Sequence, residues 1–461
     1  MPNNLSGWLL VTVFASSASA VLALDAQWGA FAAAAVLAIF AAARWPAFAL
    51  GALLALGPSD LWLTVDAGGF TFRLAHVLAV ALWAAAAARV GVLGLLRWTL
   101  GAPGMWLWLA LLALQAVSIA RGVAFPGKAV GYLAWGAFDV LVLAPAVAFH
   151  ARRHPLRMSA AWWPLAAAVG VFGLLQLALA AVGTTPMLVQ QWVGARPRIN
   201  ALSYEPSYFA FQALVPLALM VGWWSRGLPR ALALLASGVG LVLAVAVALS
   251  SSRSGWIGLA LLALAGAWPL FRRHRGAWSG PVGRVLAAGA AVVVLGVVWM
   301  PPHVWAADKL LMQKGLDLSD PSSSQPRREG VLEAINLARL YPLAGVGPGQ
   351  FGAALLAHPQ AQVRVLRPED RDPHGLVTFN LYAELLSENG ILGLLLALGA
   401  LLQTAWRLWR APGGARVVAW RTGVLWASLL MFAVMFQFNQ TLWRVETWCL
   451  LGLAMTARRR P

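Results

Sequence analysis

The chain has little cysteine and little charge. Of its 461 residues one is a cysteine, Cys449, and only 11% are charged, whereas 61% are hydrophobic. A single cysteine excludes an intramolecular disulfide and any metal site built from cysteines. A soluble protein of this length could not bury so large an apolar fraction. The composition therefore predicts an integral membrane protein, whose spans in lipid must be helices.

Apolar runs of roughly 18–20 residues, long enough to cross a hydrocarbon core of about 30 Å, recur along the chain. We predict an all-α, polytopic helical bundle of about twelve to fourteen spans. The first run follows MPNNLS, which has no Lys or Arg, so it reads as a retained helix rather than a cleaved signal peptide. The predicted spans are 7–24, 28–43, 45–57, 73–88, 104–119, 129–149, 160–183, 205–224, 230–249, 254–271, 281–300, 384–406, 421–437 and 441–457.

The predicted spans divide the chain into three parts. Residues 1–300 form an N-terminal transmembrane bundle, with about eleven spans of the length that a bilayer requires. Residues 301–375 form one large loop subdomain of short helices outside the membrane. Residues 376–461 form the C-terminal transmembrane helices.

The net charge of +18 is carried largely by arginines in short connections between the apolar runs. With the N-terminus in the cytoplasm, every cytoplasmic connection is basic and contains no acid, which is the pattern of a topology signal. The pattern predicts cytoplasmic N- and C-termini and argues against nucleic acid as a partner. The opposite face then carries the polar segments 184–204, 250–255 and 301–375.

A polar stretch, RINALSYEPSYFA, stands at the start of one span on that face. Glu205 followed by Pro206 is typical of a helix start, since Pro suits the first turn and a carboxylate favours the positive helix end. The alternative is a substrate-binding site. The residues that would form it are Arg196, Arg198, Tyr204 and Glu205.

Further basic residues lie on the same face. Arg253, in SSSRSG, is close enough to the hydrocarbon either to snorkel to the interface or to bind a phosphate, whose oxygens match the guanidinium fork. Arg327 and Arg328 precede a helix-like stretch, where a solvated charged face is the alternative. His374, in DPHG at the junction of loop and bundle, is either structural or catalytic.

Two patterns in the long polar segment concern local structure. DLSDPSSSQPRREG predicts a loop, and EGVLEAINLARL predicts an amphipathic helix because its apolar residues have helical spacing. GPGQFG fits G-x-G-x-x-G, but no convincing strand precedes it. It therefore indicates a tight turn that needs positive φ rather than a dinucleotide site.

Metal chemistry and ion-coupled transport both have weak support. No spacing typical of metal ligands is present. Asp139, with Glu446, is the clearest intramembrane charge, whereas a proton-coupled transporter would usually show a paired set of such residues. This scarcity argues against a transporter.

Four blocks of sequence resemble, in order, the bacterial O-antigen ligase and polymerase superfamily. RINALSYEPSYFA resembles its arginine-containing loop and the helix start that follows, and SSSRSGWIGL resembles its Ser-x-Ser-Arg-x-Gly turn. SQPRREGVLEAINLARLYPLAGVGPGQF resembles its signature of an arginine, an amphipathic helix and a Pro-Leu-x-Gly-Val-Gly-x-Gly-x-Phe turn. NLYAELLSENGILGLL is similar to its Asn-x-Tyr-Leu…Glu-x-Gly-Ile-x-Gly stretch. The blocks cover less than half of the chain.

The resemblance implies a GT-C-like membrane glycosyltransferase in the bacterial inner membrane, with its active site on the periplasmic face. The implied donor is a glycan on undecaprenyl diphosphate, and the implied acceptor is another glycan or lipid A–core. No cofactor, metal or nucleotide sugar is expected. A chain-length regulator protein is a candidate partner beside the lipid bilayer.

The resemblance also suggests roles for single residues. Arg198 and Arg253 match the family's outer-face arginines, which are thought to hold the diphosphate. His374 is the nearest match to the family's functional histidine. The family usually has His directly before Asn, whereas here GLVTF separates His374 from Asn380.

Charge stabilisation is the main catalytic effect that we expect. Guanidinium groups in a low-dielectric cleft are suited to the negative charge that develops on a departing diphosphate. His374 or Glu205 is a candidate base for the acceptor hydroxyl.

The YEPSYFA block favours a polysaccharide polymerase. An O-antigen ligase is the alternative, and a polyprenyl-linked glycan transporter or flippase is the third candidate.

Overall fold

The computed structural model describes part of the chain, and the gaps in it bear on several predictions. The description covers residues 26–456 except 58, 60, 62–63, 68–69, 154, 182, 185–190, 193–195, 225–229, 251, 274–320, 365–371, 374–375, 411–421, 431–433 and 438–441. The predicted spans 7–24 and 281–300 therefore lie outside the described residues.

The described chain is almost entirely helical, which confirms the all-α membrane fold. The helices are α1 (Ala26–Arg44), α2 (Pro46–Leu56), α3 (Leu74–Val90), α4 (Val92–Leu100), α5 (Met105–Ala120), α6 (Pro126–Phe138), α7 (Ala144–Arg153), α8 (Pro155–Ala181), α9 (Pro206–Trp224), α10 (Arg230–Leu249), α11 (Arg253–Arg273), α12 (Pro321–Leu340), α13 (Phe351–Ala357), α14 (Leu381–Arg410), α15 (422–430) and α16 (Val445–Met455). Short 3-10 turns cover Pro359–Ala361 and Met435–Gln437.

Proline marks the start of several helices. Pro46, Pro126, Pro155, Pro206 and Pro321 each occupy the first position of their helix. Proline fits there because its missing N–H would have no partner within the helix and its fixed φ is already helical. The helix starts are thus readable from the sequence.

Five described helical segments are long and apolar enough to cross a membrane. They are Pro126–Arg153, Pro155–Ala180, Pro206–Trp223, Ala231–Leu249 and Leu381–Arg410. The first joins α6 to α7 through a π-helical turn, Asp139–Leu143. α3 and α4 pass the same test together but are bent by 106° at Gly91, so they form a sixth span only if they cross as one bent unit.

Two short antiparallel hairpins interrupt the helices. Strand β1 (Thr64–Ala67) pairs with β2 (Phe70–Arg73), and β3 (Gln191–Trp192) pairs with β4 (Arg196–Pro197). The first hairpin leads directly into α3, and the second leads into the polar residues 198–205 before α9. The sequence did not indicate either of them.

The loop predicted for DLSDPSSSQPRREG is wrong from Pro321 onward. α12 begins at Pro321, and Pro326 lies inside it. The Gln325 amide donates a hydrogen bond of 2.8 Å to Glu329 Oε1 one turn later. A proline at the first position and this pair four residues apart both favour the helix, which outweighs the poor helix propensity of the serines.

Helix α14 carries the sharpest distortion in a described span. Gly390 adopts φ 64° and ψ −172°, which is not helical, and the helix axis is kinked there. The Ile391 N–H donates to the Pro342 carbonyl at 2.9 Å, and the Leu392 N–H donates to the Leu343 carbonyl at 3.3 Å. The backbone groups that the kink releases are thus bonded to the segment after α12.

Candidate functional site

The predicted site residues in the 196–205 stretch lie on a tightly held loop. We call residues 198–205 the Arg198 loop. The Ala201 N–H donates to Gln176 Oε1 at 2.9 Å, and the Gln176 amide donates to the Ala201 carbonyl at 3.1 Å. Gln176 lies near the C-terminal end of α8 and is fully buried. One amide side chain therefore holds Ala201 at φ 48°, an unusual value for a residue other than glycine.

Glu205 and Pro206 have the helix-start role that the sequence indicated. The Glu205 carbonyl accepts hydrogen bonds from the N–H groups of Tyr208 and Phe209, which opens α9. Its carboxylate accepts the Ser207 hydroxyl at 2.9 Å. The structure thus gives Glu205 a local bonding role, and its role as a base stays a prediction.

The other predicted residues of this stretch differ in accessibility. The Tyr204 side chain is 52% exposed, whereas Arg198 is partly buried beside the fully buried Ile199. Arg196 lies in β4, but its side chain is outside the described part of the structure. The Arg198 loop is therefore reachable at Tyr204 and anchored at its other end.

The SSSRSG turn is a capped helix start. The Ser252 hydroxyl accepts the Gly255 N–H at 3.2 Å, the usual geometry of an N-cap serine. The Trp256 indole donates to the Ala248 carbonyl at 2.9 Å and ties α11 to α10. Arg253 is the first residue of α11, but its side chain lies outside the described residues.

Of the last three predicted residues, Arg327 lies beside the start of α14. Arg327 and Arg328 are in α12, where Arg328 is exposed. The Arg327 guanidinium lies 5.7 Å from the centroid of the Phe379 ring, and Phe379 has φ 55°. His374 falls outside the described residues, and its catalytic role stays a prediction. Arg327 is thus the predicted cation that the structure brings to the start of α14.

The GPGQFG turn docks onto Glu388, a residue that the sequence analysis did not single out. Glu388 is 5% exposed, and its carboxylate accepts the Gly349 N–H at 2.8 Å and the Phe351 N–H at 3.1 Å. Gly345, Gly347 and Gly349 all have positive φ. The predicted positive-φ turn is confirmed, and its function is to fit this backbone against α14.

The same turn reaches the start of α6. The Gln350 side chain accepts the Phe125 N–H at 2.8 Å and donates to the Phe125 carbonyl at 3.1 Å. A Cβ placed on Gly349 would lie 3.2 Å from Lys128 and 3.3 Å from Tyr132. The turn therefore fixes the position of α6 relative to α14.

Four helix starts meet in a polar cluster inside the bundle. We call its members, Lys128, Tyr132, Tyr208, Glu384 and Arg444, the four-helix cluster. The Arg444 guanidinium lies 3.6 Å from the centroid of the Tyr208 ring. Tyr132 is within electrostatic reach of both Arg444 and Glu384, and Lys128 is within reach of Glu384.

The geometry of this cluster favours anionic ligands. Arg444 immediately precedes α16, Tyr208 is in the first turn of α9, and Glu384 is in the first turn of α14. Helix N-termini carry positive partial charge and unpaired N–H groups, which suit phosphate oxygens. Two cations and several hydrogen-bonding groups thus lie where these helix ends converge.

Sequence reasoning missed the members of this cluster except Tyr208, which lies in the polar stretch RINALSYEPSYFA. Arg444 lies inside the predicted span 441–457, and an arginine in such a span is usually functional. That signal was present in the sequence but was not used, since only Glu446 and Asp139 were singled out as intramembrane charges. Lys128, Tyr132 and Glu384 gave no comparable signal, since each lies at the edge of a span.

The intramembrane acids are closer together than the sequence suggested. Asp139 is 2% and Glu446 is 6% exposed, and Asp139 is within electrostatic reach of both Glu446 and Arg73. The inference that the spans lack a paired set of charges is therefore wrong for these residues. Among the described residues, no group of three or more His, Cys, Asp or Glu side chains could hold a metal ion.

The fold and the cluster define a class: a polytopic helical membrane protein with a polar site where helices begin. Residues 238–398, which run from α10 into α14, match the family model Wzy_C, described as O-antigen ligase. This match places the segment in the O-antigen ligase and polymerase superfamily and confirms the resemblance seen in the sequence. A search of curated proteins found no match. The match therefore supports a membrane enzyme of the ligase or polymerase type.

Proposed function

We propose that the protein transfers a glycan from undecaprenyl diphosphate to a hydroxyl acceptor on the periplasmic face of the bacterial inner membrane. The observation that carries this proposal is the convergence of four helix starts on Arg444, Lys128 and Glu384 within an otherwise apolar bundle. The matched segment, residues 238–398, supplies α14 and the turn that fixes it. These features support a site for a phosphorylated lipid.

The donor's diphosphate supplies the charge that such a site would recognise. Cleavage of the bond between sugar and diphosphate places negative charge on the leaving group. Preoriented cations and helix N-termini stabilise that charge more strongly in a low-dielectric site than in water. Gaps between the helices on the lipid side would admit the polyprenyl tail.

The residues predicted from the sequence keep their proposed roles. Arg253 would stabilise the departing diphosphate, and His374 or Glu205 would act on the acceptor hydroxyl. Arg196, Arg198, Tyr204, Arg327 and Arg328 would bind the diphosphate or the glycan. Arg444 joins them, because its guanidinium lies against the first turn of α9, which directly follows the Arg198 loop.

Polymerase is our first candidate and ligase the alternative. The proposal of a polymerase rests on the YEPSYFA block, which resembles the polymerase and exopolysaccharide branch more closely. Both activities would use the same donor without a nucleotide sugar, a metal or a cofactor. They differ in the acceptor, which is a second lipid-linked glycan for a polymerase and lipid A–core for a ligase.

A transporter of the same lipid is the third candidate. It is favoured by the buried group of Asp139, Glu446 and Arg73, since charged groups inside a bundle often mark transport pathways. A transporter would move the lipid-linked glycan without changing its length or its anchor. Product analysis separates it from both enzymes.

The test incubates the purified protein with undecaprenyl-diphosphate glycan, alone and with lipid A–core. Longer lipid-linked chains identify a polymerase, and glycan on lipid A–core identifies a ligase. If neither product forms and vesicles show movement of the lipid-linked glycan, the enzyme proposal is wrong and transport replaces it.

Two variants test the predicted catalytic residues in the same assay. Arg253→Ala should lower turnover by about 100-fold or more, as expected when a charge that stabilises a transition state is removed. His374→Ala should lower turnover by about 100-fold if it assists proton transfer. Expression and thermal unfolding in detergent are the controls. Full activity in both variants would place the reaction elsewhere in the molecule.

A further inference from the structure

Two carboxylates one turn apart on α14 have opposite surroundings. Glu388 accepts two backbone N–H groups, from Gly349 and Phe351. Glu384 has no hydrogen bond from its carboxylate to any described residue, and its Oε2 is buried. The Glu384 side chain as a whole is only partly buried. One oxygen is thus enclosed by protein, although the residue as a whole keeps some exposed surface.

An unsatisfied carboxylate inside a membrane bundle is unfavourable, because burial removes the hydrogen bonds that water would supply. The backbone around Glu384 does not explain it, since Asn380 caps the helix by accepting the Ala383 N–H at 3.0 Å. The charged groups that act on Glu384 are Glu388 and Lys128, and Tyr132 is also close. A hydrogen-bond donor on a bound ligand would satisfy this carboxylate.

The residues around Glu384 indicate which group of the substrate would donate a hydrogen bond to its carboxylate. Glu384 lies in the four-helix cluster, whose cations suit the diphosphate, whereas a carboxylate repels phosphate. A carboxylate accepts hydrogen bonds, and a sugar hydroxyl donates them. Glu384 is therefore suited to the acceptor hydroxyl, beside the phosphates and not on them.

We propose that Glu384 is the general base that takes the proton from the acceptor hydroxyl, an inference that rests on the proposed glycosyl transfer. The hydroxyl oxygen forms a bond to the anomeric carbon of the donor sugar. The bond between that carbon and the phosphate oxygen breaks, and the diphosphate leaves with the electron pair. The hydroxyl proton goes to the Glu384 carboxylate, which later releases it to water.

Two other carboxylates considered above, those of Glu205 and Glu388, already accept hydrogen bonds in the described structure, and under this proposal Glu205 and His374 would orient the acceptor. The Glu205 carboxylate already accepts the Ser207 hydroxyl. Glu388 is committed to the backbone of the GPGQFG turn. Of these three carboxylates, only Glu384 has no hydrogen-bond donor among the described residues.

The test compares the wild-type protein with Glu384→Gln in glycan transfer and in donor binding. The amide keeps the size and polarity of the side chain but cannot accept a proton. Transfer to the hydroxyl acceptor should fall by about 100-fold or more, the usual contribution of a general base. Binding of undecaprenyl-diphosphate glycan should stay within about twofold of wild type. Thermal unfolding should not be lowered, because no hydrogen bond is lost and an unsatisfied carboxylate is removed.

Azide separates a base from a structural residue. Azide attacks the anomeric carbon without losing a proton, so it should restore release of undecaprenyl diphosphate in Glu384→Gln, with glycosyl azide as the product. Transfer within about threefold of wild type, loss of donor binding, or no restoration by azide would each overturn the role as base. If the wild-type protein transfers no glycan at all, the proposed function fails and this inference fails with it.

Discussion

The turn bound to Glu388 and the four-helix cluster are adjacent regions that use polar residues for different purposes. In the turn, a buried carboxylate and the Gln350 amide satisfy backbone groups of the segments that they join. In the cluster, Glu384 has no hydrogen-bond partner among the described residues, and Arg444 lies on an aromatic ring. The first arrangement is complete without a ligand, and the second is not. Position on a shared helix therefore does not decide the role of a carboxylate.

The two polar segments that flank the cluster are held in place in a similar way. The Arg198 loop is fixed by one buried amide, Gln176, which bonds both backbone groups of Ala201. The GPGQFG turn is fixed by Glu388 and by three glycines with positive φ. In both cases a buried side chain on a long helix holds the backbone of a loop. The helical bundle can thus present loop residues with the precision that a site requires.

The largest effect on stability is expected at the kink of α14. A Cβ on Gly390 would lie 2.2 Å from the Leu343 carbonyl oxygen, and the φ of 64° with ψ of −172° is a region almost restricted to glycine. Gly390→Ala should therefore destabilise the protein by more than about 3 kcal/mol. Thermal unfolding in detergent measures the change.

Gly122→Ala is the matched control for this prediction. Gly122 also has positive φ, at 100°, but a Cβ there would meet nothing within 4 Å. Only backbone strain of about 1–2 kcal/mol is expected. Equal effects of the two variants would show that the contact between Leu343 and the kink is unimportant.

A smaller effect is expected when Glu388 loses one of its two acceptor oxygens. In Glu388→Gln the amide can accept only one of the N–H groups of Gly349 and Phe351. A buried N–H without an acceptor should lower stability by about 1–3 kcal/mol. Thermal unfolding of Glu388→Gln and Glu384→Gln, measured side by side, checks the comparison. If both variants unfold at the wild-type temperature, the Glu388 bonds do not hold the turn.

Much of the fold could be predicted from the sequence because local chemistry determines it. The apolar runs, the proline at the first turn of α9 and the glycines of GPGQFG all act within a few residues of themselves. The helical state of 321–330 was missed, because serine and proline favour loops except at a helix start. The contact of Pro342 with Ile391 could not be anticipated, since it depends on tertiary packing.

The site was less predictable than the fold, because its residues come together only through tertiary packing. Tyr208 and Glu205 were noticed because they are neighbours in one short stretch. Arg444 is far from Tyr208 in the chain and reaches its ring only when α9 and α16 pack together. Tyr132 of α6 likewise comes within electrostatic reach of Arg444 only through packing. Arg253 and His374, the residues with the strongest family resemblance, lack described side chains and stay predictions.

The most direct test of a diphosphate site in the four-helix cluster is the affinity of Arg444→Gln for undecaprenyl-diphosphate glycan. Removing one charge-assisted contact to phosphate should weaken binding by about tenfold or more, since such contacts contribute about 1.5–3 kcal/mol. Arg328→Gln, at an exposed position of α12, provides a comparison from the same set of proposed binding residues and should have a smaller effect. We predict a loss of affinity of about tenfold for Arg444→Gln, in a variant that still unfolds cooperatively despite the lost contact with the Tyr208 ring. Wild-type affinity in that variant would contradict the proposed diphosphate site.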